Sequence, residues 1–234
     1  MALEPIIYAP PAGPGVEVLH EDRDMVVVNK PSGLLSVPGR TPDLFDSVLS
    51  RVRQAHPQAQ AVHRLDLGTS GVLVVATRRK AEALLRQQFQ DRMTLKVYFA
   101  LVRGVVRQDR GQIDLPLICD WPNRPRQMVC LATGKAALTD YDVLERGPDS
   151  TLVRLRPHTG RSHQLRVHMA SLGHPIVGDA LYGDDVPAPR LMLHASQLGL
   201  SHPYSETWMT FHAPCGFAAH VPLLILDPPS LPED

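Results

Sequence analysis

The segment that most constrains the fold is a short apolar run at residues 72–76, which directly follows a polar loop. The run is Val-Leu-Val-Val-Ala, and a continuous β-branched stretch of this length is typical of a strand buried on both faces. The four residues before it, Gly-Thr-Ser-Gly at 68–71, favour a turn. Asp66 therefore lies in a loop between rigid neighbours, where catalytic carboxylates are common. On chemistry alone, a role as a turn cap stays open, since loop aspartates often cap turns.

The composition indicates an ordinary globular protein. Of 234 residues, 44% are hydrophobic and 21% are charged, which is enough to form a sizeable core without disulfides or metals. The three cysteines have no C-x-x-C spacing, so neither a disulfide framework nor a cysteine zinc site is indicated. No apolar run is long enough to span a bilayer, and the N-terminus has no signal-peptide pattern. We therefore expect a cytoplasmic protein without a membrane partner.

The charges are unevenly distributed although the net charge is zero. Residues 1–50 carry seven acidic and three basic side chains, whereas residues 78–107 carry eight basic and two acidic ones. Residues 154–168 add four arginines and no acid. A neutral total therefore allows a basic face that suits an RNA phosphate backbone. The same counts also fit bases dispersed over the surface, and the sequence leaves both arrangements open.

Apolar periodicity predicts strands and helices along the chain. We expect strands at residues 16–29 (two, around a turn at 22–24), 94–103, 141–145, 151–156, 191–201 and 207–212. We expect a helix that Thr41 caps and Pro57 ends, and a second at residues 80–92 with Ala81, Leu84, Leu85 and Phe89 inward. A third is capped by Thr159 or Ser162, buries Leu165, Met169 and Leu172 on one face, and stops at Gly173.

Three further stretches carry candidate functional residues. Tyr98 shares a strand face with Lys96, although a tyrosine in a strand is more often structural. His163 and Arg166 lie three residues apart on the third helix and project together, which by itself suits a phosphate-facing helix start. Residues 115–127 contain three prolines and a Trp121 beside arginines, which suits either an RNA contact or a tryptophan pinned to the core. Zinc binding by the histidines at 158, 163, 168 and 174 is disfavoured, because no H-E-x-x-H spacing or joining Cys or acid is present.

Several short segments of the sequence together resemble the motifs of the RluA family of pseudouridine synthases. HRLD with the following TSG resembles the catalytic motif, KVYFA at residues 96–100 the second and RSHQLRVH at 161–168 the third. KPSGL at 30–34 and GDALYG at 178–183 resemble further family segments. The similarity extends from Glu17 to Pro214. DLPLICDWPNRP at 114–125 resembles the short, dual-specificity member after which the family is named.

The resemblance implies an α/β (α+β) fold: a mixed, mainly antiparallel bifurcated sheet with flanking helices and loops and a cleft across its middle. It implies an isomerase that breaks the N1–C1′ bond of a uridine in RNA, rotates the base and rejoins it through C5, with no cofactor or metal. The implied substrates are a tRNA anticodon stem-loop, a large-subunit rRNA loop, or both. Whether the catalytic carboxylate attacks C1′, attacks C6 or acts on the ribose stays open.

The domain organisation that we expect is simple. A flexible leader at residues 1–15 precedes one catalytic domain at residues 16–220, with no separate N-terminal RNA-binding domain, and a peripheral tail follows at residues 221–234. We expect a monomer whose partner is RNA and not DNA.

The resemblance also assigns roles to residues. Asp66 is the essential carboxylate, Tyr98 stacks on the target base, and Arg166 pairs with Asp66. Arg64 enters the helical stack in place of the flipped uridine, and Leu165 packs near the base. The other candidate substrate-binding residues are His63, Lys30, Arg161, His163, Trp121 and Arg124. Lys30 is predicted either to touch phosphate or to be a solvated loop lysine.

Two other functions compete with this prediction. A glycosidic-bond hydrolase would also use a carboxylate, but it usually needs a second acid for the leaving group, and the motifs around Asp66 offer bases instead. A non-catalytic RNA-binding protein would need the basic face but would not need Asp66, Tyr98 and Arg166 together.

Overall fold

The computed structural model describes residues 8–13, 15–183 and 188–229. Strands dominate this part of the chain, and helices are few. The strands are β1 (Glu17–Glu21), β2 (Met25–Lys30), β3 (Gln60–Ala61), β4 (Ser70–Ala76), β5 (Leu95–Arg103), β6 (Arg110–Asp114), β7 (Leu117–Cys119), β8 (Gln127–Val129), β9 (Leu138–Arg146), β10 (Ser150–Pro157), β11 (Leu193–Ser201) and β12 (Trp208–His212). The helices are α1 (Val48–Val52), α2 (Arg79–Gln90) and α3 (Gln164–Ser171), with 3-10 turns at Pro42–Leu44 and Trp121–Asn123.

A mixed sheet organises the molecule, as predicted. Among the described residues it has ten strands in the order β1-β2-β4-β11-β5-β10-β9-β6, with β3 beside β4 and β12 beside β11. The β4–β11 pair is parallel and the other pairs are antiparallel. One edge of β11 pairs with β4 at residues 194–195 and with β12 at residues 197–201, so the sheet divides into two branches there. Strands β7 and β8 form a separate hairpin.

Strand β4 is buried at all its positions, which confirms the prediction from its apolar run. Val72 and Val74 pack in one cluster with the inner face of α2. Leu73 and Val75 pack in another cluster with α1. The loop that carries Asp66 therefore leads directly into a strand that is enclosed on both faces.

Gly71 allows the parallel contact between β4 and β11. Its φ is +112°, and a Cβ atom at this position would lie 2.1 Å from the carbonyl oxygen of Ala195. Only glycine accepts both this backbone conformation and this close approach.

The prediction of one helix from Thr41 to Pro57 is wrong, because the segment is interrupted. Thr41 makes no capping hydrogen bond and precedes only a 3-10 turn. Ser47 instead caps α1 through a capping box with Ser50, in which each side chain accepts from the other residue's backbone N–H. This local capping competes with a continuous helix and starts a new one at Val48.

The other two helices are confirmed with changes in detail. Helix α2 buries Ala81 and Leu85, but Leu84 is 37% exposed and not inward as predicted. Neither Thr159 nor Ser162 caps α3: the N-cap is His163, with a left-handed φ of 54°. Thr159 instead donates to the side-chain oxygen of the α3 residue Gln164. None of the described helices is long and apolar enough to cross a bilayer.

At its far end, α3 stops at Gly173 as predicted, where φ is +81°. Leu172, which we predicted on the inner face, follows the helix as its C-cap and is 40% exposed. The hairpin of β9 and β10 is confirmed, with the predicted turn closed by a hydrogen bond from the Gly147 amide to the Ser150 carbonyl.

The described part of the predicted flexible leader makes hydrogen bonds to residues in α1 and just before it. The Tyr8 hydroxyl donates to the carbonyl of Asp46, and the Arg51 guanidinium donates to the carbonyls of Pro11 and Gly15. Residues 1–7 and 14 of the predicted leader lie outside the described residues.

The described part of the predicted tail makes hydrogen bonds to strands β11 and β12. Gln197 exchanges two hydrogen bonds with the backbone of Leu224, and the Trp208 indole donates to the carbonyl of Leu226. Gln197 lies in β11 and Trp208 lies in β12. Residues 230–234 of the predicted tail lie outside the described residues.

Candidate active site

A cleft of about 870 Å³ lies beside the loop that precedes β4. Its walls come from this loop, the C-terminal half of α2, β5 and residues 158–163. A smaller recess of about 110 Å³ adjoins the cleft, and its lining includes Leu165 and Arg166. Of the predicted site residues, the cleft and the recess share Arg64, Asp66, Tyr98, Arg161 and His163. The fold thus brings residues that are up to about a hundred positions apart to one concave site, where ligands usually bind.

Hydrogen bonds from residues 30–36 fix the loop around Asp66. The Ser36 hydroxyl donates to the carbonyl of Leu65 at 2.7 Å and accepts from the amide of the same residue at 3.0 Å. The Gly33 amide donates to the carbonyl of Leu67 at 2.9 Å. Both backbone neighbours of Asp66 are therefore held, which limits the movement of its carboxylate.

Lys30 is a buried part of this support. Its side chain is fully buried, and Nζ donates to the carbonyls of Pro31, Leu34 and Leu67 at 3.0, 2.6 and 3.1 Å. Burial lowers the pKa of Lys30 to about 7, although the charge of Asp66 acts in the opposite direction. This placement contradicts both predictions for Lys30, the phosphate contact and the solvated loop lysine.

We expect Lys30→Met to lower the free energy of unfolding by about 2–3 kcal/mol, because the carbonyls of Pro31 and Leu34 lose this donor, whereas the Leu67 carbonyl keeps the Gly33 amide. Thermal or urea unfolding measures this loss. The matched control is Lys135→Met at an exposed position, with an expected change within about 0.5 kcal/mol. Equal stability of the two variants would show that the three hydrogen bonds contribute nothing net.

Asp66 faces a chain of charged groups. Arg166 Nη1 donates to Asp66 Oδ2 at 3.1 Å. The same guanidinium makes a two-pronged contact with Asp179, with Nε and Nη2 each 2.7 Å from a carboxylate oxygen. The Asp66 side chain is 29% exposed, whereas the Asp179 side chain is fully buried. The Asp179 carboxylate thus holds Arg166 through Nε and Nη2, and the remaining Nη1 group of Arg166 donates to Asp66.

Burial and pairing act against each other within this chain. Burial by itself would lower the pKa of Arg166, but the hydrogen bonds and charges of Asp179 and Asp66 raise it above its usual value. Burial would raise the pKa of Asp179, but Arg166 and two backbone amides lower it. Both groups of the anchoring pair are therefore charged at neutral pH.

His163 is the second group beside Asp66. Its Nε2 lies 3.9 Å from Asp66 Oδ2, and its Nδ1 lies 2.7 Å from the hydroxyl of Tyr182. Burial lowers the pKa of His163, with Asp66 opposing this shift and Arg166 adding to it. The imidazole is therefore neutral at neutral pH.

Tyr98 and Lys96 project from β5 into the site. Burial raises the pKa of the Tyr98 hydroxyl, and the negative charge of Asp66 adds to the effect. Tyr98 therefore keeps its proton and offers a neutral ring. Burial lowers the pKa of Lys96 to about 8, and the nearby Arg92 contributes to the shift. Lys96 lines both the cleft and the recess and was missed as a site residue, because its strand pattern showed only that it shares a face with Tyr98.

The two basic residues of the HRLD motif, His63 and Arg64, have different roles: His63 supports β4, and Arg64 is exposed at the cleft. His63 Nε2 accepts a hydrogen bond from the Val74 amide, and its ring stacks on Phe89 at 4.4 Å. Burial lowers the pKa of His63 to about 3, so it is a neutral group that braces β4. Arg64 is exposed at the mouth of the cleft. Arg161 also lines the cleft, while its Nε donates to the carbonyl of Ala136.

The proline-rich loop (residues 115–127) presents an aromatic and basic surface. Trp121 is 66% exposed, so the alternative in which it pins the loop to the core is wrong. The Arg124 guanidinium lies over its ring at 4.7 Å. Pro125 of the same loop lines the cleft. The exposed pair thus belongs to a loop that borders the site.

The four histidines considered for zinc have separate partners. His158 contacts the carboxylate of Asp140, and His174 contacts the carbonyl of Arg103. His168 is buried and bonds to Thr139 and to the Leu115 carbonyl. With His163 engaged by Tyr182, the four side chains serve four different local networks.

Asp179 and Tyr182 are site residues that the sequence analysis missed. The sequence GDALYG at residues 178–183 by itself indicates only a turn-rich loop, although this segment also resembles a segment of the family. The turn at Gly178 requires glycine, since φ is +76° and a Cβ would lie 2.0 Å from the Arg190 carbonyl. The turn brings Asp179 to Arg166 and Tyr182 to His163.

Comparisons with known proteins identify the family. The family model described as RNA pseudouridylate synthase matches residues 24–171. A relative from Escherichia coli O6:H1, named dual-specificity RNA pseudouridine synthase RluA, is 54% identical over 214 residues, which cover 90% of this chain and 98% of the relative. The protein of the same name from Vibrio parahaemolyticus is 50% identical over 228 residues, which cover 94% of this chain and 91% of the relative.

Solved structures show the same similarity. Human RNA pseudouridylate synthase domain containing 1 superimposes with a TM-score of 0.73 at 32% identity, over 88% of this chain and 86% of the human one. Human RNA pseudouridylate synthase domain containing 4 gives a TM-score of 0.69 at 27% identity, over 87% and 90% of the two chains. Sequence and fold lead to one conclusion: the chain belongs to the RluA-type RNA pseudouridylate synthases, and it is an isomerase that makes pseudouridine in RNA.

Proposed function

We propose that the enzyme isomerises uridines in a tRNA anticodon stem-loop, in a large-subunit rRNA loop, or in both, with Asp66 as the catalytic carboxylate. The observation that carries the proposal is the placement of Asp66: its partly exposed carboxylate lies between an open recess and a buried guanidinium. The dual-specificity name of the bacterial relatives supports the expectation of two RNA classes.

The roles that we propose follow from the lining of the recess. A flipped uracil would stack on the ring of Tyr98 beside the apolar side chain of Leu165. Arg166 donates to the Asp66 carboxylate and orients it toward the recess. Arg64, exposed at the cleft mouth, would fill the gap that the flipped nucleotide leaves in the RNA stack. Arg161 and His163 border the same entry.

The reaction conserves all atoms. The N1–C1′ bond breaks, a C5–C1′ bond forms, the hydrogen at C5 leaves as a proton, and N1 takes up a proton. A single carboxylate suffices as nucleophile or base. A hydrolase would also need an acid for the leaving group, and Asp179 does not fit that role, because it is fully buried with both oxygens bound by Arg166.

The experiment that tests the proposal is tritium release from tRNA and rRNA transcripts labelled with [5-³H]uridine. Forming the C5–C1′ bond must expel the hydrogen at C5. Release from an anticodon stem-loop or an rRNA loop supports the proposal and names the substrate. No release from either RNA, with release from other cellular RNA, would overturn the proposed substrates while leaving the family assignment intact.

We further infer that one catalytic domain spans residues 16–220 and that the enzyme is a cytoplasmic monomer that prefers RNA to DNA. The three cysteines are free in the structure, which suits a reducing compartment. Gel filtration checks the monomer, and competition of the labelled RNA with a DNA hairpin of the same sequence checks the preference.

We expect Trp121→Ala to weaken RNA binding about tenfold, since stacking of one base on an aromatic side chain contributes roughly 1–3 kcal/mol. The turnover rate at saturating RNA should change little, because Trp121 lies outside the residues that line the recess. Filter binding and single-turnover kinetics measure the two effects. Ile225→Ala, at another strongly exposed apolar position, is the control and should bind RNA like the wild type.

A further inference from the structure

The Tyr182 hydroxyl joins two parts of the site that are remote in sequence. It accepts a hydrogen bond from the backbone amide of Gln127, the last residue of the proline-rich loop, at 2.7 Å. It also lies 2.7 Å from Nδ1 of His163. The guanidinium groups of Arg126 and Arg166 lie over the Tyr182 ring, at 5.4 and 5.1 Å from its centroid. One side chain therefore contacts the proposed RNA-contact loop, the histidine beside Asp66 and the arginine that binds Asp66.

The hydrogen-bond network favours one tautomer of His163. A phenol has one proton to donate, and the Gln127 amide already donates to its oxygen. The Tyr182 proton is therefore directed to Nδ1 of His163, and a neutral imidazole then carries its own proton on Nε2. That nitrogen is the one that lies 3.9 Å from Asp66 Oδ2.

We propose that Tyr182 is a positioning residue for the catalytic carboxylate: its hydroxyl fixes His163 as the Nε2–H tautomer facing Asp66 and couples this group to the proline-rich loop. The proposal rests on the proposed roles of Asp66 and of that loop. In the free enzyme the Nε2–H group lies beyond direct hydrogen-bond distance from the carboxylate. When RNA binds the loop, the fixed imidazole moves within donating distance of Asp66 and orients the carboxylate toward the recess as a neutral N–H donor, not as a charge.

Tyr182 is coupled to the proline-rich loop through the backbone amide of Gln127 and not through the Gln127 side chain. Only proline at position 127 would remove this amide proton, so the link depends on the path of the loop and not on the Gln127 side chain. A loop displaced by poor RNA contact would lose the hydrogen bond to Tyr182 and leave the phenol free to rotate. RNA contacts made by the loop can thus influence the group beside Asp66 without touching it.

Tyr182→Phe tests the proposal, because it keeps the ring between the arginines and removes only the hydroxyl. We expect the single-turnover rate at saturating RNA to fall about tenfold to a hundredfold, with RNA affinity within about twofold of the wild type. Tyr141→Phe is the matched control, since it removes a hydroxyl that donates to Gln108 at 3.2 Å, away from the residues that line the cleft. Its rate should match the wild type.

Nitrogen-15 NMR of the histidine side chains gives a readout that needs no activity. The wild type should show His163 as the Nε2–H tautomer, assigned by loss of its signals in His163→Gln, and Tyr182→Phe should show a mixture of tautomers. In a double-mutant cycle, adding Tyr182→Phe to His163→Gln should cost no further activity. An unchanged tautomer or fully additive rate losses would overturn the proposal. Inactivity of the wild type on every RNA tested would instead count against the proposed substrates, while the NMR result would still decide the role of Tyr182.

Discussion

Asp66→Asn should remove isomerisation, with a rate loss of about 10⁴-fold or more, and leave the fold and most of the RNA affinity intact. In the proposed function the activity depends on the Asp66 carboxylate in the recess, which an amide does not replace as a nucleophile or base. The fold should survive because Arg166 keeps its two-pronged contact with Asp179. No buried charge is left without a partner.

Tritium release and RNA filter binding, measured side by side, check this expectation. The appropriate control is Asp140→Asn, which changes a carboxylate that contacts His158 and Gln112 and does not line the cleft. Its release rate should equal that of the wild type. Turnover by Asp66→Asn near the wild-type rate would refute the catalytic role of Asp66.

Arg166→Met should have the largest effect on stability, lowering the free energy of unfolding by about 3–5 kcal/mol and abolishing activity. The substitution leaves the fully buried Asp179 carboxylate without its cation, which is much more costly than the loss of a surface pair. Two backbone amides still donate to Asp179, and they compensate for only part of the lost charge. Urea unfolding measures the loss.

The pH dependence of this loss identifies its cause. In the wild type Arg166 holds the pKa of Asp179 below its usual value of 3.8, so the pair stabilises the fold above that pH and loses this contribution as the pH falls further. In Arg166→Met, burial would raise the pKa of Asp179, and the carboxyl would take up a proton as the pH is lowered. The stability difference between the two proteins should therefore be largest at neutral pH and shrink toward pH 4. A difference that is constant over this range would point to lost packing instead.

The parts of the fold that could be predicted are those with a local signal. The apolar run of β4, the alternation of β5 and the Gly147 turn each depend on neighbouring residues, and all were found. The interrupted segment after Thr41 was not, because the capping box of Ser47 and Ser50 competes with a longer helix. Sequence periodicity does not weigh these alternatives.

The site shows the same division between local and distant interactions. The motifs located Asp66, Tyr98 and Arg166, and the structure places all three at one recess. The burial of Lys30 and the anchoring of Arg166 by Asp179 depend on which loops meet after folding. A lysine between a strand and a proline looks solvated until three carbonyl groups from two segments surround it.

The place of β11 in the sheet has a consequence for the order in which the protein becomes functional. This strand is synthesised after both β4 and β5, yet it lies between them and joins the two halves of the sheet. Each half contains a hairpin of consecutive strands, β1–β2 and β9–β10, that can form before β11 is synthesised. Asp66 belongs to the first half and Arg166 to the second, so their contact awaits the arrival of β11. A nascent chain that ends before Leu193 should therefore be unable to modify the RNA that surrounds it at the ribosome, and catalytic competence should appear only after β11 has been synthesised.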